Sequence, residues 1–167
     1  MHFGDSKNKV GSVVAVGGMV AVNGKGVAVD HNLFEILTET PLMVWACLAS
    51  SLQIIFRELF GRANLGEGAL KTEGMDIRRF YILRHDVLSS VEMATVREAF
   101  HALGCRPIYP LSEEIQKSDR RALDSILFDA LGLNKQEREE IYEAVVKLVE
   151  QRLEKAESLV RKRKGGK

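Results

Sequence analysis

The stretch between Thr40 and Gly61, PLMVWACLASSLQIIFRELF, constrains the fold more than any other part of the chain. Thr40 can cap a helix, and Pro41 suits the first helical position, where its missing N–H costs nothing. Leu42, Met43, Val44, Trp45, Leu48, Ile55, Phe56, Leu59 and Phe60 leave little polar face in the first half. A helix of this kind over 41–60 must be covered on most sides. Gly61 is the expected stop. The run is too short and too interrupted, by Ser50, Ser51 and Gln53, to cross a bilayer, which needs about 20 apolar residues.

Cover comes from what precedes it. Residues 12–37 read as β, because Val13, Val14, Val16, Val20, Val22, Val27 and Val29 are β-branched and clustered. Asn23-Gly24-Lys25-Gly26 suits a hairpin turn, and Gly17-Gly18 a bulge in the first strand. Residues 61–75 hold four glycines and read as a loop, and Ile77–Leu83 as one more strand.

Beyond residue 89 the pattern turns helical. Ser89-Ser90-Val91-Glu92 has the form of a capping box. Met93, Val96, Phe100 and Leu103 follow at helical spacing. Residues 105–118, with Pro107 and Pro110, read as a connector. A second helix is expected over 119–131, with Leu123, Ile126, Leu127 and Leu131 on one face and Gly132 as its stop. A third is expected over 135–160, with Ile141, Val145, Leu148, Val149, Leu153 and Ala156 in a stripe. The short link makes the last two an α-hairpin. The expected architecture is α+β: a small sheet with a buried helix over 1–85, a helical region over 86–160, and a disordered basic tail over 161–167.

Several chemistries lack their signatures. No G-x-x-x-x-G-K-[ST] loop and no strand–G-x-G-x-x-G–helix is present, and no G-x-S-x-G elbow. His2, His31, His85 and His101 are scattered, so no metal site is expected. Cys47 and Cys105 form no C-x-x-C pair and read as two buried, reduced thiols of a cytoplasmic protein. With 24 basic and 23 acidic residues, the net charge of +1 is low for an autonomous nucleic-acid binder. No residue stands out as catalytic.

The segment DHNLFEIL, then LMVWACLASSLQIIFRELFGRANLGEGALK, then GMDIRRFYIL resembles the target-recognition region of adenine-specific DNA methyltransferases of the TaqI-like and type IIG kind. The layout is also similar to the recognition domains of type I specificity subunits. The shared features are an Asn-x-Phe step (Asn32-Leu33-Phe34), a Leu-x-Ser-Ser element (Leu48-Ala49-Ser50-Ser51) and a glycine loop ending Gly-Ala-Leu. Here Ala49 replaces the usual asparagine, and the strand after the loop lacks its usual proline. The helical tail from Asp119 onward also resembles the C-terminal helices of such enzymes. The catalytic half of the family, with its S-adenosylmethionine motif and its Asn-Pro-Pro-Tyr motif, has no counterpart in these 167 residues.

The resemblance implies a restriction–modification specificity module. It would bind double-stranded DNA, need no cofactor of its own, and act with a separate methyltransferase catalytic subunit or domain. Arg62 and Asn64 at the start of the glycine loop and Lys71 at its end are the candidate base and phosphate contacts. Arg78, Arg79 and Arg84 on the expected strand, and Lys25 at the expected hairpin tip, complete the set; on a strand Arg78 and Arg79 would face opposite sides. The competing expectation is an interaction module, homo-oligomeric or docking a partner through the α-hairpin, without DNA.

Overall fold

The computed structural model describes residues 11–16, 19–23, 33–63, 69–71, 73–84 and 86–165. They form a mixed α+β structure, helix-rich, with one three-stranded antiparallel sheet and one short ladder. Strands β1 (Gly11–Val16), β2 (Met19–Asn23) and β3 (Phe34–Thr38) lie in the order β2-β1-β3. Val16 pairs with Met19, so the first hairpin closes between those residues. Gly17 and Gly18, where a bulge is expected, and Gly24–Gly26 of the expected turn, with Lys25, lie outside the described residues.

The pleat decides what the sheet covers. Val13 stands opposite Val22 on one side and Ile36 on the other. Val13 is fully buried, and Val22 and Ile36 pack on the same core. The alternate positions Glu35 and Leu37 are exposed, as a one-sided sheet requires.

The long apolar stretch is two helices. They are α1 (Pro41–Ala49) and α2 (Ser51–Phe60), bent by 69° at Ser50. Ser50 is extended, its hydroxyl donates to Cys47 O at 2.8 Å, and its side chain accepts from Gln53 N. A serine that ends one helix and caps the next offers the backbone an alternative to continuous helix. α1 lies on the inner face of the sheet. Its Trp45 indole donates to Val20 O at 3.2 Å and meets Phe100 edge-on at 4.9 Å. The buried-helix expectation therefore holds for α1 alone.

The glycine-containing segment is a hairpin. β4 (Arg62–Ala63) pairs antiparallel with β5 (Leu70–Lys71), Arg62 opposite Lys71. The expected strand over 77–83 is absent. Glu73 and Asp76 form a capping box that starts a single helical turn, α3 (Gly74–Ile77). Residues 80–84 follow without a ladder. Local capping chemistry therefore outweighs the β-branched and aromatic composition here.

α4 (Ser90–Gly104) starts at the expected Ser89/Glu92 capping box. α5 (Leu111–Glu114) is one turn within the connector, followed by α6 (Ser118–Ala130) and α7 (Lys135–Gly165). Gly132 adopts φ +71°, with Leu133 N bonded to Phe128 O and Gly132 N to Asp129 O, a Schellman stop. Asn134 then caps α7, accepting from Gln136 N and Glu137 N. α6 and α7 meet through Phe128 and Tyr142, 5.8 Å between ring centres, but α6 packs chiefly on α4 and α7 on α2. One core cluster joins Val13 and α1 to Leu88, α4 and α6, so the hydrophobic core runs across residue 85. Cys47 is buried as expected, whereas Cys105, at the end of α4, is exposed.

Candidate nucleic-acid interface

Gly61 sets the position of the β4–β5 hairpin. A Cβ there would meet Arg57 O at 2.5 Å and Leu70 Cγ at 2.7 Å. Only glycine lets the end of α2 and β5 approach this closely. The arrangement puts Arg62 and Lys71 side by side at the base of the hairpin. Both reach Glu73, at 3.8 and 3.2 Å, with side chains 63% and 60% exposed. Asn64 lies outside the described residues.

The turn after α3 brings two further cations beside the hairpin. Arg78 is exposed at the end of α3 rather than on a strand face. Arg79 lies over the Phe60 ring at 6.0 Å, Phe60 stacks on Phe56 at 6.1 Å, and Phe56 meets Tyr81 at 5.5 Å. Cation and rings thus form one continuous run, ending on a Tyr81 that is 74% exposed. Arg84 is farther along and is engaged by Asp86 through both carboxylate oxygens, in water-exposed surroundings. The structure therefore groups Arg62, Lys71, Arg78 and Arg79, and sets Arg84 apart in its own pair.

At the other end of α2 lies a buried polar seam that sequence reasoning missed. Asp124 is fully buried on α6. It accepts from Ser51 N at 2.8 Å, Ser51 Oγ at 2.6 Å and Tyr142 Oη at 3.3 Å. Burial pushes its carboxyl up, and the donors of Ser51 oppose the rise. The same burial, reinforced by Asp124, holds the Tyr142 phenol well above its ordinary value, so it remains a donor. The Ser50-Ser51 element that carries part of the family resemblance is thus a helix corner tied to α6.

Next to the corner, a cleft of about 560 Å³ opens between α2, β5, the connector and α7. Arg57, Arg106, Arg120 and Arg152 all line it. Arg106 forks onto Glu114, at 2.8 and 2.9 Å, and onto Asp119. Its guanidinium holds both carboxyls below their usual range. Arg120 bonds Glu114 and the Ala49 carbonyl. Arg152 forks onto Glu58 at 2.8 and 3.0 Å. Arg57 is 8% exposed and makes a single 3.4 Å contact to Leu48 O. Among the described residues no carboxylate pairs with it, and burial lowers its pKa. Its signal in the sequence is the spacing of Gln53 and Arg57, polar residues four apart and so on one face of α2.

Cys47 gains no reactivity from its setting. Burial raises its thiol pKa, and its sulfur accepts from Leu83 N at 3.5 Å. Among the described residues no three His, Cys, Asp or Glu side chains are placed to hold a metal, and no single helix is long and apolar enough to cross a membrane. Set against known proteins, the chain matches no family model, no curated protein and no solved structure at a significant level.

Proposed function

We propose that the chain is a DNA-recognition module of an adenine-specific methyltransferase system, without catalytic residues of its own, acting with a separate catalytic unit. The observation that carries the reading is the β4–β5 hairpin. A two-strand projection stands on a rigid helix end, with Arg62 and Lys71 paired at its base and Arg78 and Arg79 beside it. Phosphate contacts of this kind fix register on a duplex and leave base edges to other side chains. Exposed Tyr81 and the rings behind Arg79 add a surface for sugar and base contact.

Fluorescence anisotropy on a labelled 20-base-pair duplex between 50 and 200 mM salt tests the reading. If Arg62, Lys71, Arg78 and Arg79 each meet a phosphate, log K should fall with log salt at a slope of about −3 to −4. Replacing one of them by alanine should lower that slope by about 1. No binding at 50 mM salt would sink the proposal. Leu153 on α7 is 45% exposed within an otherwise packing stripe, which favours self-association as the second reading. A salt-insensitive oligomer in light scattering, with no DNA affinity, would select it.

A further inference from the structure

The arginine cleft is a charge account left open. Among the described residues four guanidinium groups line it, and three carboxylates, Glu58, Glu114 and Asp119, engage three of them. The remaining positive charge sits on Arg57, the least exposed of the four. Among the described residues the one partner of its side chain is the Leu48 carbonyl at the end of α1, where the helix dipole supplies at most about half a negative charge. A guanidinium has five N–H donors in a fixed fork. One bond of 3.4 Å satisfies little of that capacity. Burying an unpaired charge is costly unless an anion completes it.

We propose that this cleft binds a small molecule through an oxyanion, a carboxylate or a phosphate, that forks onto Arg57. The geometry of the guanidinium matches such a group bidentately. The volume lies in the range of small-molecule sites, and Ile54, Leu70, Leu103, Ile108 and Val149 supply apolar wall for the rest of the ligand. Arg106, Arg120 and Arg152 are held by their own carboxylates, so they frame the site and leave its net charge positive. The site is independent of DNA recognition, and its test contains no nucleic acid.

The experiment is thermal unfolding of the full chain with inorganic phosphate or with benzoate, each against chloride at equal ionic strength. At several times its dissociation constant, the preferred anion should raise the midpoint by about 2–4 °C, saturably. Phosphate acting alone identifies a phosphate ligand; benzoate acting alone identifies a carboxylate on an apolar body. Arg57→Met should abolish the shift, and Lys147→Ala, on the exposed side of α7, should leave it unchanged. If Arg57→Met does not fold, Arg57→Lys decides, since it keeps the charge and loses the fork: roughly tenfold weaker binding supports the site. No saturable shift with either anion overturns the proposal. So does an undiminished shift in Arg57→Met or Arg57→Lys.

Discussion

The Ser50–Ser51 corner and the β4–β5 hairpin are both short polar elements at the ends of α2, and they use their polarity in opposite ways. At the corner, Asp124 is fully buried and accepts three bonds, so each group there completes another. At the hairpin, Arg62 and Lys71 share Glu73 with most of their side chains in water. Exposed pairs of that kind contribute roughly 0–1 kcal/mol. The contrast separates polar groups that hold the fold from polar groups free to meet a ligand. Net charge could not make that separation, because it counts both kinds alike.

Perturbing the corner should cost most. Asp124→Ala leaves Ser51 and Tyr142 without their acceptor, and should lose about 3–4 kcal/mol in urea unfolding. A loss under about 1 kcal/mol would mean that the 69° bend does not depend on α6. The clamp beside it comes next. Arg106→Ala removes the guanidinium shared by Glu114 and Asp119, leaves both on their weaker bonds to Arg120, and should cost about 2–3 kcal/mol.

That clamp also fixes the pH dependence. Glu114 and Asp119 titrate lower in the folded state than their unfolded values of about 4, so their stabilisation is present above that pH and is lost as pH falls through the folded values. Asp124, raised by burial, has the opposite sign: its contribution is present below its unfolded value and is lost as pH rises through its folded one. Acid unfolding should therefore begin below about pH 5, and Asp119→Asn should flatten that limb. An acid limb equally steep in Asp119→Asn would show that the Arg106 clamp does not govern it.

Gly61→Ala tests the join between the regions. Its Cβ collides with a backbone carbonyl, so about 1–2 kcal/mol should be lost, with β5 displaced from α2. Full stability in this variant would show that the hairpin is not seated by α2. The smallest effect belongs to the hairpin surface, where Arg62→Ala with Lys71→Ala should change stability by no more than about 0.5 kcal/mol.

Capping and periodicity made the helical half readable. Ser89/Glu92, Gly132 and Asn134 each act through bonds within a few residues, and the structure has them where sequence places them. The apolar faces of α4 and α6 followed from 3.6-residue spacing. What escaped depended on partners far along the chain. The break at Ser50 is stabilised by Asp124, 73 residues away from Ser51. The segment 77–83 has strand-like composition but no ladder, and the Glu73/Asp76 box begins a helical turn instead. For the candidate surface, the structure gives the expected cations other settings: Arg78 and Arg79 follow α3, and Arg84 is paired with Asp86. The arginine cleft draws on residues from 48 to 152, and no local pattern marks it.

In the proposed function, exposed cations at the hairpin bind duplex DNA while the buried polar seam at the other end of α2 maintains the fold. The most direct measurement compares the full chain with its Arg62→Ala/Lys71→Ala/Arg78→Ala/Arg79→Ala variant, reading duplex binding at 50 mM salt and the urea midpoint on the same samples. Binding should fall at least about a hundredfold while the midpoint stays essentially where it was. Binding unchanged at an unchanged midpoint would contradict it.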